Sequence, residues 1–228
     1  MTARARGLVV AIDGPSGAGK STAGRTLAAR LGYTYVDTGA MYRALTLKAL
    51  RAGVSPEAEV ALVALARETS IELEDGGRRV RLDGIDVTSE IRSRDVTAAV
   101  SAVSAHPGVR RDMVERQRRL GAGGGVVLDG RDIGTAVFPD AEAKFYLDAD
   151  PRKRARRRQA ELQAAGSDIG LEELEREIRA RDAADSTRAD SPLVRATDAT
   201  LVDTTTLTAE EVVECMASSV ASRQAQRS

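Results

Sequence analysis

The sequence predicts an α/β protein built on a doubly wound parallel sheet, and three observations predict it. Short apolar runs rich in β-branched residues alternate with stretches of helical periodicity along most of the chain. The first run, Leu8–Ile12, leads through a glycine-rich turn into a helical stretch from about Ser21 to Leu31. One segment, Thr69–Val87, breaks the alternation with a period of two.

Leu8–Ile12 is bounded by Gly7 and Asp13-Gly14-Pro15 and reads as a buried parallel strand. The helix from Ser21 ends at Gly32, and Tyr33–Val36 is a second short strand. Met41–Ala52 repeats apolar residues at helical spacing and stops at Gly53; Pro56–Glu68 is a further helix opened by its proline. Ile71-Glu-Leu-Glu and Val80-Arg-Leu-Asp flank Asp75-Gly76-Gly77, which predicts an antiparallel hairpin and hence a small β-rich insertion. Helices are expected over Arg94–Ala105 and from Pro107 to Leu120, then a flexible Gly121–Gly125 turn and the strand Val126–Asp129. Ala143–Leu147 is another strand. Pro151–Ala165 and Leu171–Asp190 are charged helices joined by Gly166-Ser-Asp-Ile-Gly170. Thr200–Val202 and Ala209–Ser222 complete the series as strand and helix, leaving a polar tail at Arg223–Ser228 expected to fray.

Composition narrows the function. The 228 residues are 42% hydrophobic, enough for one α/β core with small insertions. The 34 basic and 34 acidic side chains cancel, whereas a chain that grips a nucleic-acid backbone carries a basic excess. Most of the basic residues are arginine, the planar fork suited to carboxylates and phosphates. With one cysteine, Cys215, and one histidine, His106, neither an internal disulfide nor structural zinc is expected. Cys215 sits in an apolar helical repeat and is expected in the core; His106 precedes Pro107 and reads as a cap. The apolar runs are too short to span a bilayer, and no signal-like segment precedes Asp13, so a cytoplasmic protein is expected, with no membrane and no nucleic-acid partner. No sustained heptad or uniform apolar face appears, which favours a monomer.

Gly14-Pro15-Ser16-Gly17-Ala18-Gly19-Lys20-Ser21 fits G-x-x-x-x-G-K-[ST], the phosphate-binding P-loop, with a strand before it and a helix after it. Glycines let backbone N–H groups converge on phosphate oxygens, and the helix N-terminus adds a favourable dipole. Lys20 reaches the β- and γ-phosphates and the Ser21 hydroxyl faces Mg²⁺; Thr22 follows on the first helical turn. Asp13 and Asp129 each follow an apolar strand and either suits Mg²⁺ through water; Asp129 is favoured. A GTP switch needs an Asn-Lys-x-Asp motif, and the sequence contains no asparagine. A small phosphotransferase or a non-catalytic nucleotide-binding module remains.

Arginines decide between those two. A nucleotide phosphate attacking another phosphate is already ionised, since its second pKa is about 6. Such a site needs no general base but many positioned cations. Arg43 lies in Asp37-Thr-Gly-Ala-Met-Tyr-Arg43 and Arg131 with Asp132 in Asp129-Gly-Arg-Asp132, both just after strands, where open α/β sheets place ligands. Arg181, Asp185 and Arg188 share a helix face at i, i+4, i+7, and Arg154, Arg157 and Arg158 make a second basic stripe. The competing reading of any one arginine is a solvated surface charge.

These motifs together resemble bacterial cytidylate kinases, in the P-loop nucleoside monophosphate kinase family. The matching pieces are Ile12–Ser21, Asp37–Arg43, Asp86-Val-Thr-Ser-Glu-Ile-Arg92, Asp129-Gly-Arg-Asp-Ile-Gly-Thr-Ala-Val-Phe-Pro139 and Arg181-Asp-Ala-Ala-Asp-Ser-Thr-Arg188, in family order from about Val9 to Val213. The resemblance implies transfer of the γ-phosphoryl group of ATP to CMP or dCMP, with Mg²⁺ bound with ATP. It implies one P-loop kinase unit over 1–228, with a monophosphate-binding insertion at 63–96 and a short LID at 153–170. Thr38, Arg43, Arg131 and Arg188 would surround CMP and its phosphate. Ser101, Arg110 and Asp132 would read the cytosine edge, and Asp185, held by Arg181, would contact the ribose. Gly14–Thr22 would cradle ATP, and Arg154, Arg157 and Arg158 would close over it. Lys20, Arg131, Arg157 and Arg188 would carry the catalytic charge. The alternatives are a kinase for another monophosphate or a small hydroxyl acceptor, or a module without turnover.

Overall fold

A computed structural model describes residues 4–164, 166 and 168–226. The described residues form a five-stranded, wholly parallel sheet in the order β2-β6-β1-β7-β8 and a separate three-stranded antiparallel sheet, β3-β4-β5. The large sheet comprises β1 (Val9–Asp13), β2 (Thr34–Asp37), β6 (Val126–Asp129), β7 (Ala143–Asp148) and β8 (Thr200–Asp203). β1 lies at its centre, with Val9 beside Val126 and Val10 beside Ala143. All five of its residues are buried, because helices cover both faces of the sheet.

Alternation sends successive residues of β1 to opposite faces. Val10 and Ile12 join Leu27 of α1 (Lys20–Leu31), Phe145 and Leu147 of β7, and Met216 and Val220 of α8 (Ala209–Ala225). Val9 and Ala11 join Leu128, Ile133, Val137 and Phe138 on the other face. Burying each large aliphatic side chain stabilises the fold by about 1.5–3 kcal/mol, so the sheet is the rigid base of the molecule.

The small sheet consists of β3 (Ile71–Glu74), β4 (Arg79–Leu82) and β5 (Ile85–Asp86). Leu73 opposes Val80, and the turn between β3 and β4 places Gly76 and Gly77 at positive φ, 62° and 75°. The expected hairpin is therefore present, and β5 adds a strand the pattern did not show because it is two residues long. Val80 and Leu82 pack with Ala40, Ala44 and Leu47 of α2 (Thr38–Arg51), which seats this sheet beside the start of α2. α3 (Glu59–Arg67), α4 (Arg94–Ala105) and α5 (Pro107–Gly121) build a further cluster on Met41, Leu45, Leu62, Val103 and Met113.

Several helix limits differ from the sequence reading. α2 starts at Thr38 rather than Met41, because the Asp37 carboxylate accepts the Ala40 N–H at 2.7 Å and caps the helix. α3 starts at Glu59, leaving Pro56 in a turn. α7 (Leu171–Thr187) stops short of Asp190, with Arg188 extended at φ −62°, ψ 144°. α6 (Pro151–Ala164) precedes it; the expected end at Ala165 lies outside the described residues, as do Ser167 of the expected LID and the last two residues of the tail. α8 runs to Ala225, past the expected Ser222. Cys215 is a correction: it is exposed, on the side of α8 turned from the Val212–Met216–Val220 stripe that meets the sheet. His106 is the expected cap, ending α4 and opening α5, with a ring nitrogen 2.8 Å from the Pro56 carbonyl oxygen.

Candidate functional site

Every strand of the large sheet ends in aspartate: Asp13, Asp37, Asp129, Asp148 and Asp203. Parallel strands bring these carboxylates to one edge, the edge at which open α/β sheets bind ligands. Each finds different work. Asp13 accepts two backbone N–H groups, Ile133 and Gly134, both at 2.7 Å. Asp37 caps α2 and pairs with Arg43 at 3.2 Å. Asp129 accepts the Ser21 hydroxyl at 2.8 Å on one oxygen and the Tyr35 hydroxyl at 3.0 Å on the other. Asp148 and Asp203 bond the N–H groups of Ala149 and Thr205 in their own following turns.

The P-loop leaves β1 through Gly14, at φ 144°, where an added Cβ would lie 2.0 Å from the Leu147 carbonyl oxygen. Only glycine fits so close an approach. Gly19, at φ 89°, turns the chain into α1. Lys20 is buried, and its Nζ donates to the Pro15 carbonyl at 2.6 Å, folding the side chain back over the loop. Burial first, then the neighbouring Arg131 charge, lowers Lys20 to about 7. Burial raises Asp129 to about 6 and Asp13 to about 7. Thr22 is exposed on the first turn of α1 and does not line the cavity described next.

One cavity joins the loop to the arginines. Ser16, Gly17, Lys20 and Ser21 form one end; Val100, Ser104 and Arg110 form the other. Between them stand Thr38, Arg43, Arg131, Asp132, Arg181, Asp185 and Arg188. Six cationic side chains thus face four carboxylates, Asp37, Asp129, Asp132 and Asp185, a balance that leaves the cavity net positive. Thr38 Oγ1 donates to the Asp129 carbonyl at 2.7 Å, holding α2 to β6. Arg110 and Asp132 form a short, buried ion pair, and Arg188 Nη2 stands 3.5 Å from the other oxygen of Asp132. Arg110 also donates to the Ser104 carbonyl at 3.2 Å and lies over the Tyr42 ring at 5.6 Å.

Asp185 departs from expectation. Its partner is Arg131, whose Nε donates at 2.8 Å, not Arg181. The Arg131 and Arg181 charges hold the Asp185 carboxyl below its ordinary range, against burial, which acts to raise it. Arg181 Nε is buried without a hydrogen-bond partner, and burial followed by the Arg131 charge lowers its guanidinium to about 10. A buried donor without a partner beside a second cation is the arrangement an anion would complete.

Of the expected loop residues, Gly14, Pro15, Ala18 and Gly19 do not line this cavity, nor do four expected residues elsewhere, Ser101, Arg154, Arg157 and Arg158. Ser101 does not line it; Val100 and Ser104, on neighbouring turns of α4, do. Arg154 is buried under the P-loop and donates to the Ser16 carbonyl at 3.0 Å. Arg157 donates to Thr204 Oγ1 at 3.0 Å, and Arg158 pairs with Glu161 at 3.1 Å. Tyr42, Asp37 and Ser104 line the cavity although the sequence reading passed over them; Asp37 alone had a signal, as a polar residue opening a helix.

The sequence model of the family described as cytidylate kinase matches residues 10–222. The chain belongs to the cytidylate kinase family. It is 54% identical to a cytidylate kinase of Geobacillus kaustophilus, over 92% of this chain and 94% of that protein. It is 52% identical to a cytidylate kinase of Desulfitobacterium hafniense, over 92% of this chain and 90% of the relative. The fold is also similar to that of a shikimate kinase from Acinetobacter baumannii solved with shikimate: TM-score 0.51 at 16% identity, covering 96% of this chain and 95% of the other. At that identity the likeness carries the fold alone.

Proposed function

We infer that this enzyme transfers the γ-phosphoryl group of ATP to CMP or dCMP, giving ADP and CDP or dCDP. Family membership over residues 10–222 supports the reaction. The observation that carries the reading within the structure is the single cavity with Lys20 and Ser21 at one end and a ring of arginines at the other. Two highly anionic groups can meet there because the cations outnumber the carboxylates. No histidine lines the cavity, as befits an acceptor whose oxygen is already ionised near neutral pH.

Within this reading the P-loop residues Gly14–Ser21 bind the triphosphate, and Lys20 stabilises charge on the moving phosphoryl group. Arg43, Arg131, Arg181 and Arg188 hold the acceptor phosphate in line. The unpartnered Nε of Arg181 is one donor waiting for it. Arg110 and Asp132, with the Ser104 end of the cavity, face the base. The insertion at 63–96 is the monophosphate-binding domain and 153–170 the LID, in a monomeric, cytoplasmic enzyme that works on free nucleotides. Sedimentation at micromolar concentration tests the monomer.

Mg²⁺ fits the oxygen pair of Ser21 and Asp129, 2.8 Å apart and hard donors both. Asp13 does not suit it, because both its oxygens already accept backbone N–H groups. Bound with ATP, the ion would spread the charge of the β- and γ-phosphates. The deciding experiment measures ADP release with CMP, dCMP, UMP, AMP and a hydroxyl acceptor. Preference for CMP and dCMP is expected; turnover on none of them would remove the assignment.

A further inference from the structure

Asp182, on α7, lies outside the cavity yet touches the phosphate-binding loop. Its Oδ1 accepts the Ser16 backbone N–H at 3.4 Å, and its Oδ2 accepts Arg154 Nη1 at 2.6 Å. The same Nη1 donates to the Ser16 carbonyl at 3.0 Å, while Arg154 Nε donates to the Ala149 carbonyl at 2.9 Å. One ion pair therefore grips Ser16 by both its N–H and its C=O. The pair is sheltered, with side-chain exposures of 5% for Arg154 and 19% for Asp182. The loop has no slack beside it: a Cβ on Gly17 would lie 3.1 Å from Arg154 Cβ. A shift of the loop must therefore carry Arg154 and Asp182 with it. On α7 the neighbours of Asp182 are Arg181, which faces the acceptor end, and Asp185 one turn on, which holds Arg131.

We propose that the Arg154–Asp182 pair couples the two nucleotide sites: occupancy of the loop is passed through α7 to Arg181 and Asp185, so each nucleotide tightens the other. The proposal rests on the phosphotransferase reading and adds a positioning residue to it. The pair ties α6 to α7, and Asp182, Arg181 and Asp185 share the continuous helix α7, which moves as one body, so the coupling must be the same measured from either ligand.

The test titrates CMP into the full chain by calorimetry, with and without Mg²⁺ and a non-hydrolysable ATP analogue. In the wild type the analogue should tighten CMP by a factor in the range of roughly 5–150. Asp182→Asn keeps an acceptor for Ser16 but cannot neutralise Arg154. It should leave CMP binding alone within about twofold and bring the coupling factor close to one, on the scale of one lost coupling energy. The reciprocal titration must lose the same factor. Glu175→Gln, at the exposed pair with Arg179 on the same helix, should keep the wild-type factor. Arg154→Lys, which retains charge but loses the fork, is the second variant should Asp182→Asn melt early, and it too should lower the factor. A wild-type factor near one, or variants that weaken both ligands with the factor intact, would overturn the proposal. A wild type that couples its ligands but never phosphorylates CMP would refute the function and leave the clamp standing.

Discussion

Base selectivity is where the geometry makes its sharpest demand. Cytosine presents an amino donor where uracil has a carbonyl, and a bare ring nitrogen where uracil has N–H. Asp132, a carboxylate paired with Arg110 and facing Arg188, can only accept; Arg110 can only donate. Uracil would set a carbonyl against a carboxylate and an N–H against a guanidinium. Arg110→Met removes the donor while Arg188 still faces Asp132, so the loss for CMP should be about 1–3 kcal/mol, or roughly 5–150-fold in kcat/KM. UMP gains no contact from Arg110, so its kcat/KM should change little and the CMP/UMP ratio should narrow by the same factor. Asp132→Ala should narrow it too, but it leaves two arginines unneutralised in a buried site and should cost stability of roughly 3–5 kcal/mol. ADP release over a concentration series of each acceptor, beside a thermal melt, separates the two effects. Wild-type CMP/UMP ratios in both variants would refute this account of base reading.

Lys20→Ala should lower kcat by roughly 10²-fold, the scale of one lost electrostatic stabiliser, with the fold retained; steady-state kinetics at saturating CMP checks it. Because Lys20 is lowered from 10.5 to about 7 without ligand, the folded chain binds fewer protons than the unfolded one across that window. This group therefore opposes folding below pH 7 and its penalty fades as pH rises toward 10.5. Lys20→Met should flatten that rise in a pH series of denaturant melts. Phosphates favour the charged ammonium, so ATP binding at pH 8 should take up a proton that it does not take up at pH 6; calorimetry in buffers of different ionisation heat reads the difference. Asp13→Ala strands the N–H groups of Ile133 and Gly134 and should cost about 1–3 kcal/mol per group, visible as a lower melting temperature.

The sheet and the loop were legible because their signals are local. β-branched runs, a glycine turn and a following helix lie consecutively in the chain, so Leu8–Leu31 declares itself. Arg43, Arg131, Asp132, Arg181, Asp185 and Arg188 do meet in one cavity, as strand ends and helix faces suggested, and Arg110, which only the family resemblance implied, meets them there. Pairing among them was not legible: Asp185 binds Arg131, 54 positions away, rather than its helix neighbour Arg181, because spacing shows which residues share a face and not what stands opposite. The same holds for Ser101, displaced from the cavity by Ser104 one turn along, and for the exposed Cys215. The Arg152–Arg158 run was the least legible, since composition cannot tell an arginine awaiting a ligand from one bound to a carbonyl, as Arg154 and Arg157 are.

The strand order has a bearing on how the chain comes to be folded. β1 and β2 are consecutive strands, yet neither touches the other; β6 lies between them and β7 on the far side of β1. As the polypeptide leaves the ribosome, Val9 and Val10 have no strand to pair with until Val126 and Val127 have emerged, and the other edge of β1 stays open until Ala143 has. The nascent N-terminal half can build α1, α2 and the β3–β5 sheet, but its most apolar strand must wait. Sequence-distant pairing of this kind slows folding and leaves apolar edges open meanwhile. A chain broken off anywhere before β6 would carry the whole phosphate-binding loop with nothing to hold it in shape.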